Sequence, residues 1–304
     1  MKNITVVGSY IVGMTMRTNN FPVPGETVIG FDYKKLHGGK GSNQAVGCAR
    51  LGAKVKFISA VGDDVFGRDA LELYKTEGID HGEVLVASKD VASTGIGFII
   101  VDDNGENIIA IDPDANRLVT PEFIDGKWDC IKNSSLVMTQ MEISPGTVFH
   151  LMKRASEEGI TTLLNPAPYS SLSAGCWQYV DYVTPNETEV RQILGLPPGD
   201  KTEPQGLAQE MHKLGCKNVA LTMGGKGVYI SCLGGHGEFI PARKVDTVDT
   251  TGAGDCFASA LAVSITKGAS LKEAAEFAAK AAALCVTKYG VIESLPYLRE
   301  VQDA

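Results

Sequence analysis

The sequence predicts a doubly wound α/β fold, a mostly parallel sheet with helices on both faces, joined to a small β-sheet lid. Three observations lead there. Short apolar, β-branched runs alternate with helical stretches along most of the chain, the pattern of a parallel sheet covered on both faces. The residues directly after those runs are polar or glycine-rich, as in Gly8-Ser9, Gly62-Asp63-Asp64, Gln140-Met141-Glu142, Asn165-Pro166-Ala167-Pro168 and Pro185-Asn186-Glu187-Thr188-Glu189. Open α/β sheets bind ligands at the carboxyl ends of their strands, so this convergence marks one sheet edge as functional. Finally, two extended stretches interrupt the alternation and are assigned to a separate small sheet.

In chain order, residues 4–8 form an apolar run ending in Gly-Ser, which predicts a central buried strand. Turn chemistry at 21–25 precedes the first extended piece, 28–36. A helix over 41–51, a strand over 55–61 and a helix over 66–77 closed by Gly78 follow. Residues 94–101 and 106–111 flank Asp103-Asn104-Gly105, a strong hairpin signal. Strands are predicted at 135–139, 161–164, 180–184 and 218–222, separated by helices near 146–158, 187–194 and 205–214. A helix over 258–265 ends at Gly268, and Ser270-Leu271-Lys272-Glu273 is a capping-box pattern opening a last long helix through 286. This places residues 1–13, 38–92 and 113–304 in the α/β domain and 14–37 with 93–112 in the lid.

Composition narrows the classes. Hydrophobic residues at 44% and charged ones at 21%, with no stretch of 18 apolar residues, argue against a membrane span, and the N-terminus lacks the pattern of a signal peptide. A cytoplasmic protein is expected. The net charge of −8 gives no general attraction for nucleic acid or anionic membranes, so an anionic ligand must be held by local groups. Seven cysteines without a CxxC pair fit neither a disulfide framework nor a zinc cluster, and the five histidines show no metal-binding spacing.

The chain centres on Asp249-Thr250-Thr251-Gly252-Ala253-Gly254-Asp255-Cys256-Phe257, a small-residue turn with a carboxylate at each end that opens an apolar helix. Bare amides at a helix N-terminus attract anions, so the turn reads as a phosphate site. Asp255 beside that site can take a proton from an attacking hydroxyl, although a tight turn with a first-turn acid has the same pattern. Gly38-Gly39-Lys40-Gly41-Ser42-Asn43-Gln44 leads into a helix, with Lys40 and Asn43 as donors to a polyol or, alternatively, Ser42 as a simple N-cap. Neither this stretch nor Met223-Gly224-Gly225-Lys226-Gly227 makes a Walker A loop, because no Ser or Thr follows the Gly-Lys, and Gly8 with Gly13 does not make a dinucleotide fingerprint. Asn186 and Glu189 fit a capping box, and equally an amide and a carboxylate beside a hydrated Mg²⁺. Glu142 reads as a substrate acceptor or a solvated loop acid.

Together these residues resemble the ribokinase family of carbohydrate kinases, also called the PfkB family, over nearly the whole chain. The 38–43 and 249–255 signatures carry the resemblance, supported by 165–168 and 185–189. It implies a ribokinase-like fold with a β lid over the sugar and ATP-dependent phosphorylation of a sugar hydroxyl. Asp255 matches the family's base, and Gly252, Ala253 and Gly254 its anion hole. Gly39, Lys40, Asn43 and Glu142 match sugar-side positions; Asn186, Thr222, Gly224 and Gly227 match nucleotide-side positions; Glu189 matches the carboxylate near Mg²⁺. Asp249, Thr251, Cys285, Lys288, Gly290 and Ser294 match a monovalent-cation site, for K⁺ or a similar ion.

One departure bears on substrate. The family commonly places an Asp, often with an Asn two residues earlier, after the first strand to bind adjacent sugar hydroxyls; here those positions hold Gly13 and Ile11. A substrate lacking that diol, or a bulkier one above Gly13, is expected in place of ribose. A nucleoside or other non-ribose kinase is the nearest alternative, and a non-catalytic sugar or nucleotide sensor a more distant one. Apolar lid residues such as Val28, Phe31, Ile96, Phe98 and Ile100 suggest a homodimer formed through the lid.

Overall fold

The computed structural model describes residues 3–304. Its strands are β1 (Asn3–Val7), β2 (Ile11–Arg17), β3 (Phe31–Gly38), β4 (Lys54–Ile58), β5 (Ala60–Gly62), β6 (Leu85–Ala87) and β7 (Ile96–Val101). They continue with β8 (Asn107–Asp112), β9 (Leu136–Thr139), β10 (Thr161–Leu164), β11 (Tyr182–Val183), β12 (Asn218–Thr222), β13 (Gly227–Cys232) and β14 (Glu238–Pro241). The helices are α1 (Lys40–Arg50), α2 (Val65–Thr76), α3 (Pro121–Gly126), α4 (Trp128–Ile131), α5 (Pro145–Glu157), α6 (Glu187–Ile193), α7 (Pro204–Leu214), α8 (Ala253–Thr266), α9 (Leu271–Cys285) and α10 (Leu298–Asp303).

The large sheet has eight strands in the order β14-β13-β12-β11-β10-β9-β1-β4. From β12 to β4 every pairing is parallel, and β1 sits between β9 and β4 with its last four residues buried, as a strand covered on both faces requires. β13 and β14 extend the sheet antiparallel beyond β12. That hairpin is absent from the sequence reading, because Val228 and Ile230 are its main inward apolar positions and glycines surround it on both sides. The single strand predicted over 55–61 is divided at Ser59, whose carbonyl accepts the Leu85 amide; β4 then pairs with β1, and β5 with β6.

One apolar core lies against α1, α2, α8 and α9, the other against α3, α5 and α7. α1 and α8 pack unusually closely, since a Cβ at Gly47 would stand 2.6 Å from Ser259 Oγ. Ser259 Oγ donates both to the Gln44 carbonyl at 3.1 Å and to the Asp255 carbonyl at 2.7 Å, fixing the two helices in register. A second sheet, in the order β3-β2-β7-β8, is the small one expected from the sequence, with β2 beginning at Ile11 in a stretch where no strand is predicted. Among the described residues, no helix is long and apolar enough to cross a membrane.

Candidate active site

α8 starts from Gly252, whose φ of 80° lies in the left-handed region, so the chain turns sharply and exposes its first amides. The N–H groups of Gly252, Gly254 and Asp255 have no acceptor among the described residues, whereas Ala253 N–H points back at the Thr250 carbonyl at 3.3 Å. Here the helix end leaves donors free for an anion.

One turn further in, Asp255 is only 4% exposed, and both its oxygens are held. Asn43 Nδ2 donates to Oδ2 at 2.8 Å and Gln44 Nε2 donates to Oδ1 at 2.9 Å. Gln44 is itself oriented by Gln140, which donates to its Oε1 at 2.6 Å, and it shares its amide with Asn165 Oδ1 at 3.0 Å. Asn165 is anchored in turn by the Thr184 carbonyl at 2.9 Å. A buried carboxylate is tolerated only when such donors replace its water. Asn43 Oδ1, also buried, has no partner among the described residues.

At the start of α1, Glu142 Oε2 accepts from Ser9 Oγ and from the Lys40 amide, the latter at 2.7 Å. Burial pushes the Glu142 carboxyl up in pKa, with the Lys40 charge opposing the shift. The Asp255 carboxylate raises Lys40 above the usual lysine range against the effect of burial, with Glu142 and Glu189 acting in the same direction. Lys40 is therefore a charged ammonium among three acids. Glu142 is not a solvated loop acid, and Ser42 is not the helix cap: α1 begins at Lys40 after Gly39, and the buried Ser42 hydroxyl accepts from Tyr74 at 3.2 Å.

The other predicted positions form two further groups. Asn186 and Glu189 make a complete capping box, in which Glu189 Oε2 accepts the Asn186 amide at 2.8 Å, and burial raises the Glu189 pKa. Asn186 forms a bridge with Thr222, and the following Gly224 and Gly227 both take left-handed φ, so these four residues meet at the ends of β11 and β12. Asp249 ties the turn before α8 to the loop after α9, accepting Thr251 N at 2.9 Å and Gly290 N at 3.1 Å. Cys285 Sγ, at the end of α9, and Ser294 Oγ, in that loop, are 3.1 Å apart and buried, while Lys288 Nζ turns away to Glu300 at 2.7 Å. Among the described residues, no group of three His, Cys, Asp or Glu side chains is arranged for a metal. The supporting roles of Ser9, Gln44, Gln140 and Asn165 were not assigned from sequence; their only signal was a position just after a strand or inside the glycine-rich motif.

Comparison with known proteins identifies the family. The pattern of the pfkB family carbohydrate kinases matches residues 1–298. The chain is 35% identical over 302 residues to the ribokinase of Haemophilus influenzae, covering 99% of this chain and 98% of that protein. It is 33% identical over 304 residues to the deoxyribokinase of Salmonella typhi, covering 99% and 98%. Among solved structures, Arabidopsis thaliana ribokinase complexed with ribose and ATP superposes with a TM-score of 0.91 at 29% identity, over 99% of this chain and 97% of that one. The chain belongs to the pfkB family, and it is an ATP-dependent carbohydrate kinase of ribokinase-like α/β fold.

Proposed function

We propose that this kinase moves the γ-phosphoryl group of ATP onto a hydroxyl of a small sugar bound between Lys40 and Asp255, with Asp255 as the base. The observation that carries this reading is the buried Asp255 carboxylate, gripped by Asn43 and Gln44, in the first turn of a helix at whose start the Gly252 and Gly254 amides lack acceptors. As the sugar oxygen bonds to phosphorus and the bond to the ADP oxygen breaks, Asp255 accepts the hydroxyl proton. Charge spreading onto the transferred phosphoryl oxygens meets the anion hole of Gly252, Ala253 and Gly254, in which the Gly252 and Gly254 amides are free and the Ala253 amide would have to leave the Thr250 carbonyl. Lys40, kept protonated by Asp255, offsets the negative charge gathered there. Gly39, Lys40, Asn43 and Glu142 hold the sugar, with the unpartnered Asn43 Oδ1 ready to accept from a hydroxyl. Asn186, Thr222, Gly224 and Gly227 line the nucleotide side.

Glu189 keeps one carboxylate oxygen outside its capping box, which suits a Mg²⁺ ion that retains most of its water. Such an ion supplies charge neutralisation on the phosphates. A monovalent cation such as K⁺ fits between Asp249, Thr251, Cys285, Gly290 and Ser294, where Asp249 already joins the two loops; Lys288 would contribute only its backbone. The lid, residues 14–37 and 93–112 together with the start of β2 at 11–13, covers the sugar over a body made of the remaining segments. Its outer face leaves Phe98 and Ile108 about half exposed, and a second copy pairing there would make a homodimer that light scattering would detect.

The test of the central reading is Asp255→Asn. Turnover should fall by at least ~10²-fold while ATP binding, read by calorimetry, is retained. Unchanged turnover would remove Asp255 from the role.

A further inference from the structure

Gly13 and Gly97 are direct neighbours across the parallel β2–β7 pair, in the two central strands of the lid. Neither takes a left-handed φ. A Cβ at Gly13 would meet only Ile99 Cδ1 at 3.6 Å and Leu36 O at 3.8 Å, and one at Gly97 would meet Ile111 Cγ1 at 3.6 Å and Ile11 Cγ2 at 3.7 Å, all ordinary contacts. The fold thus accommodates alanine at both places, and glycine inside a strand only weakens it. What the two glycines leave is a recess in one face of the sheet. Strand register puts Ile11, Thr15, Leu36, Lys34, Ile99 and Ile111 on that same face. It is the face turned to the loop after α9, because Lys34 Nζ stands 4.3 Å from the centre of the Tyr289 ring, one residue from the Gly290 amide that Asp249 accepts, whereas the opposite face meets α2, where Lys35 pairs with Asp69. Around the recess itself the side chains are Ile11, Leu36, Ile99 and Ile111, all apolar, and Ile111 is 53% exposed with nothing over it.

We infer that this recess sets specificity. It receives the part of the sugar turned away from Asp255 as hydrogen or methyl, so the preferred substrate is a deoxy sugar. The inference rests on the sugar-kinase reading given above. A hydroxyl pressed against four aliphatic walls would lose its water without gaining a partner, while a C–H or methyl group loses nothing there.

The experiment compares kcat/KM for each of two deoxy sugars, 2-deoxyribose and a methyl-terminated 6-deoxyhexose, with its fully hydroxylated parent. It uses the full chain and the variants Gly13→Asp and Gly97→Ala, with sugar binding measured in parallel by calorimetry. In the unmodified protein at least one deoxy sugar should exceed its parent by about tenfold or more, the order expected for one unpaired hydroxyl. Gly13→Asp should reverse that preference by placing an acceptor in the recess, and Gly97→Ala should lower kcat/KM for the preferred deoxy sugar by filling it. Both variants should melt cooperatively near the parent temperature, since each Cβ has room. Preference for the hydroxylated parents, or a preference unmoved in both folded variants, would overturn the inference and leave the kinase intact. Selective binding of a deoxy sugar without phosphoryl transfer would uphold the recess and overturn the kinase reading.

Discussion

Asp255 and Gly13 lie on opposite sides of the proposed sugar site, and the protein builds its two sides by opposite means. On the body side, Asp255 is buried and held through a chain of amides, Gln44, Gln140 and Asn165, that reaches back into the ends of β9 and β10. On the lid side, all six residues of β8 are exposed and the central strands carry glycines where side chains would fit. A preorganised polar cluster suits charge that develops only in the transition state, because no reorganisation is then needed at the moment of reaction. A sheet face lined by apolar side chains suits discrimination among sugars. In the proposed reading the body side carries the chemistry and the four-stranded lid the choice of sugar.

The largest effect should come from breaking the body side at Gly252→Ala. At φ 80° an alanine is strained, and its Cβ would stand 2.7 Å from Val291 Cγ1, pushing the turn away from the loop after α9. In the proposed reaction the free amides of Gly252 and Gly254 would then miss the phosphoryl oxygens. We expect kcat to fall by ~10²–10³-fold, as for the loss of an oxyanion donor, together with a lower melting temperature. Stopped-flow or coupled-assay turnover on the folded fraction would check it; a variant with normal kcat would show that the rigid turn is not what the reaction uses.

Glu142 gives an intermediate effect with a pH signature. Burial raises its pKa, so the native protein holds this proton more tightly than the unfolded chain does. The carboxylate therefore costs stability as pH rises through the window from the ordinary glutamate value to the raised one. As pH falls back through the same window, Glu142 becomes neutral, its attraction to Lys40 is lost and sugar affinity drops. Glu142→Gln should remove this acid limb from the pH profile of kcat/KM, weaken sugar binding several-fold and raise the melting temperature at pH values above that window. An unchanged acid limb in the variant would assign it to another group.

The same division explains what could be read from the residues alone. β10 and β12 fall at their predicted bounds, and the capping boxes at Asn186 and Ser270 form as patterned, because short buried strands and helix starts are local signals. The antiparallel β13–β14 edge and the β5–β6 pair were not legible, since each depends on which distant strand is available to pair. The residues around Asp255 were legible as motifs, but their division of labour was not. That Gln44 holds the carboxylate while Ser42 bonds Tyr74 follows from the approach of α1 to α8 at Gly47, a tertiary fact. In the lid, the departure at Ile11 and Gly13 was visible in sequence, but its partner Gly97 lies 84 positions away from Gly13 and enters only through strand register.

The smallest effect tests how the two sides meet. Lys34 Nζ sits over the Tyr289 ring at 4.3 Å and also pairs with Asp32 at 3.4 Å, on a side chain 39% exposed. A cation–π contact at an exposed site is worth ~0.5–1 kcal/mol, a factor of about two to five. If the lid closes on the body through this contact, Tyr289→Leu should raise the sugar KM by about that factor and leave kcat alone, because the apolar volume stays while the ring face is lost. Tyr289→Phe, which keeps the face, should behave like the parent. A kcat change in Tyr289→Leu would instead mean that the loop bearing Gly290 carries the perturbation into the Asp249 turn, and the separation of chemistry from closure would fail at that residue.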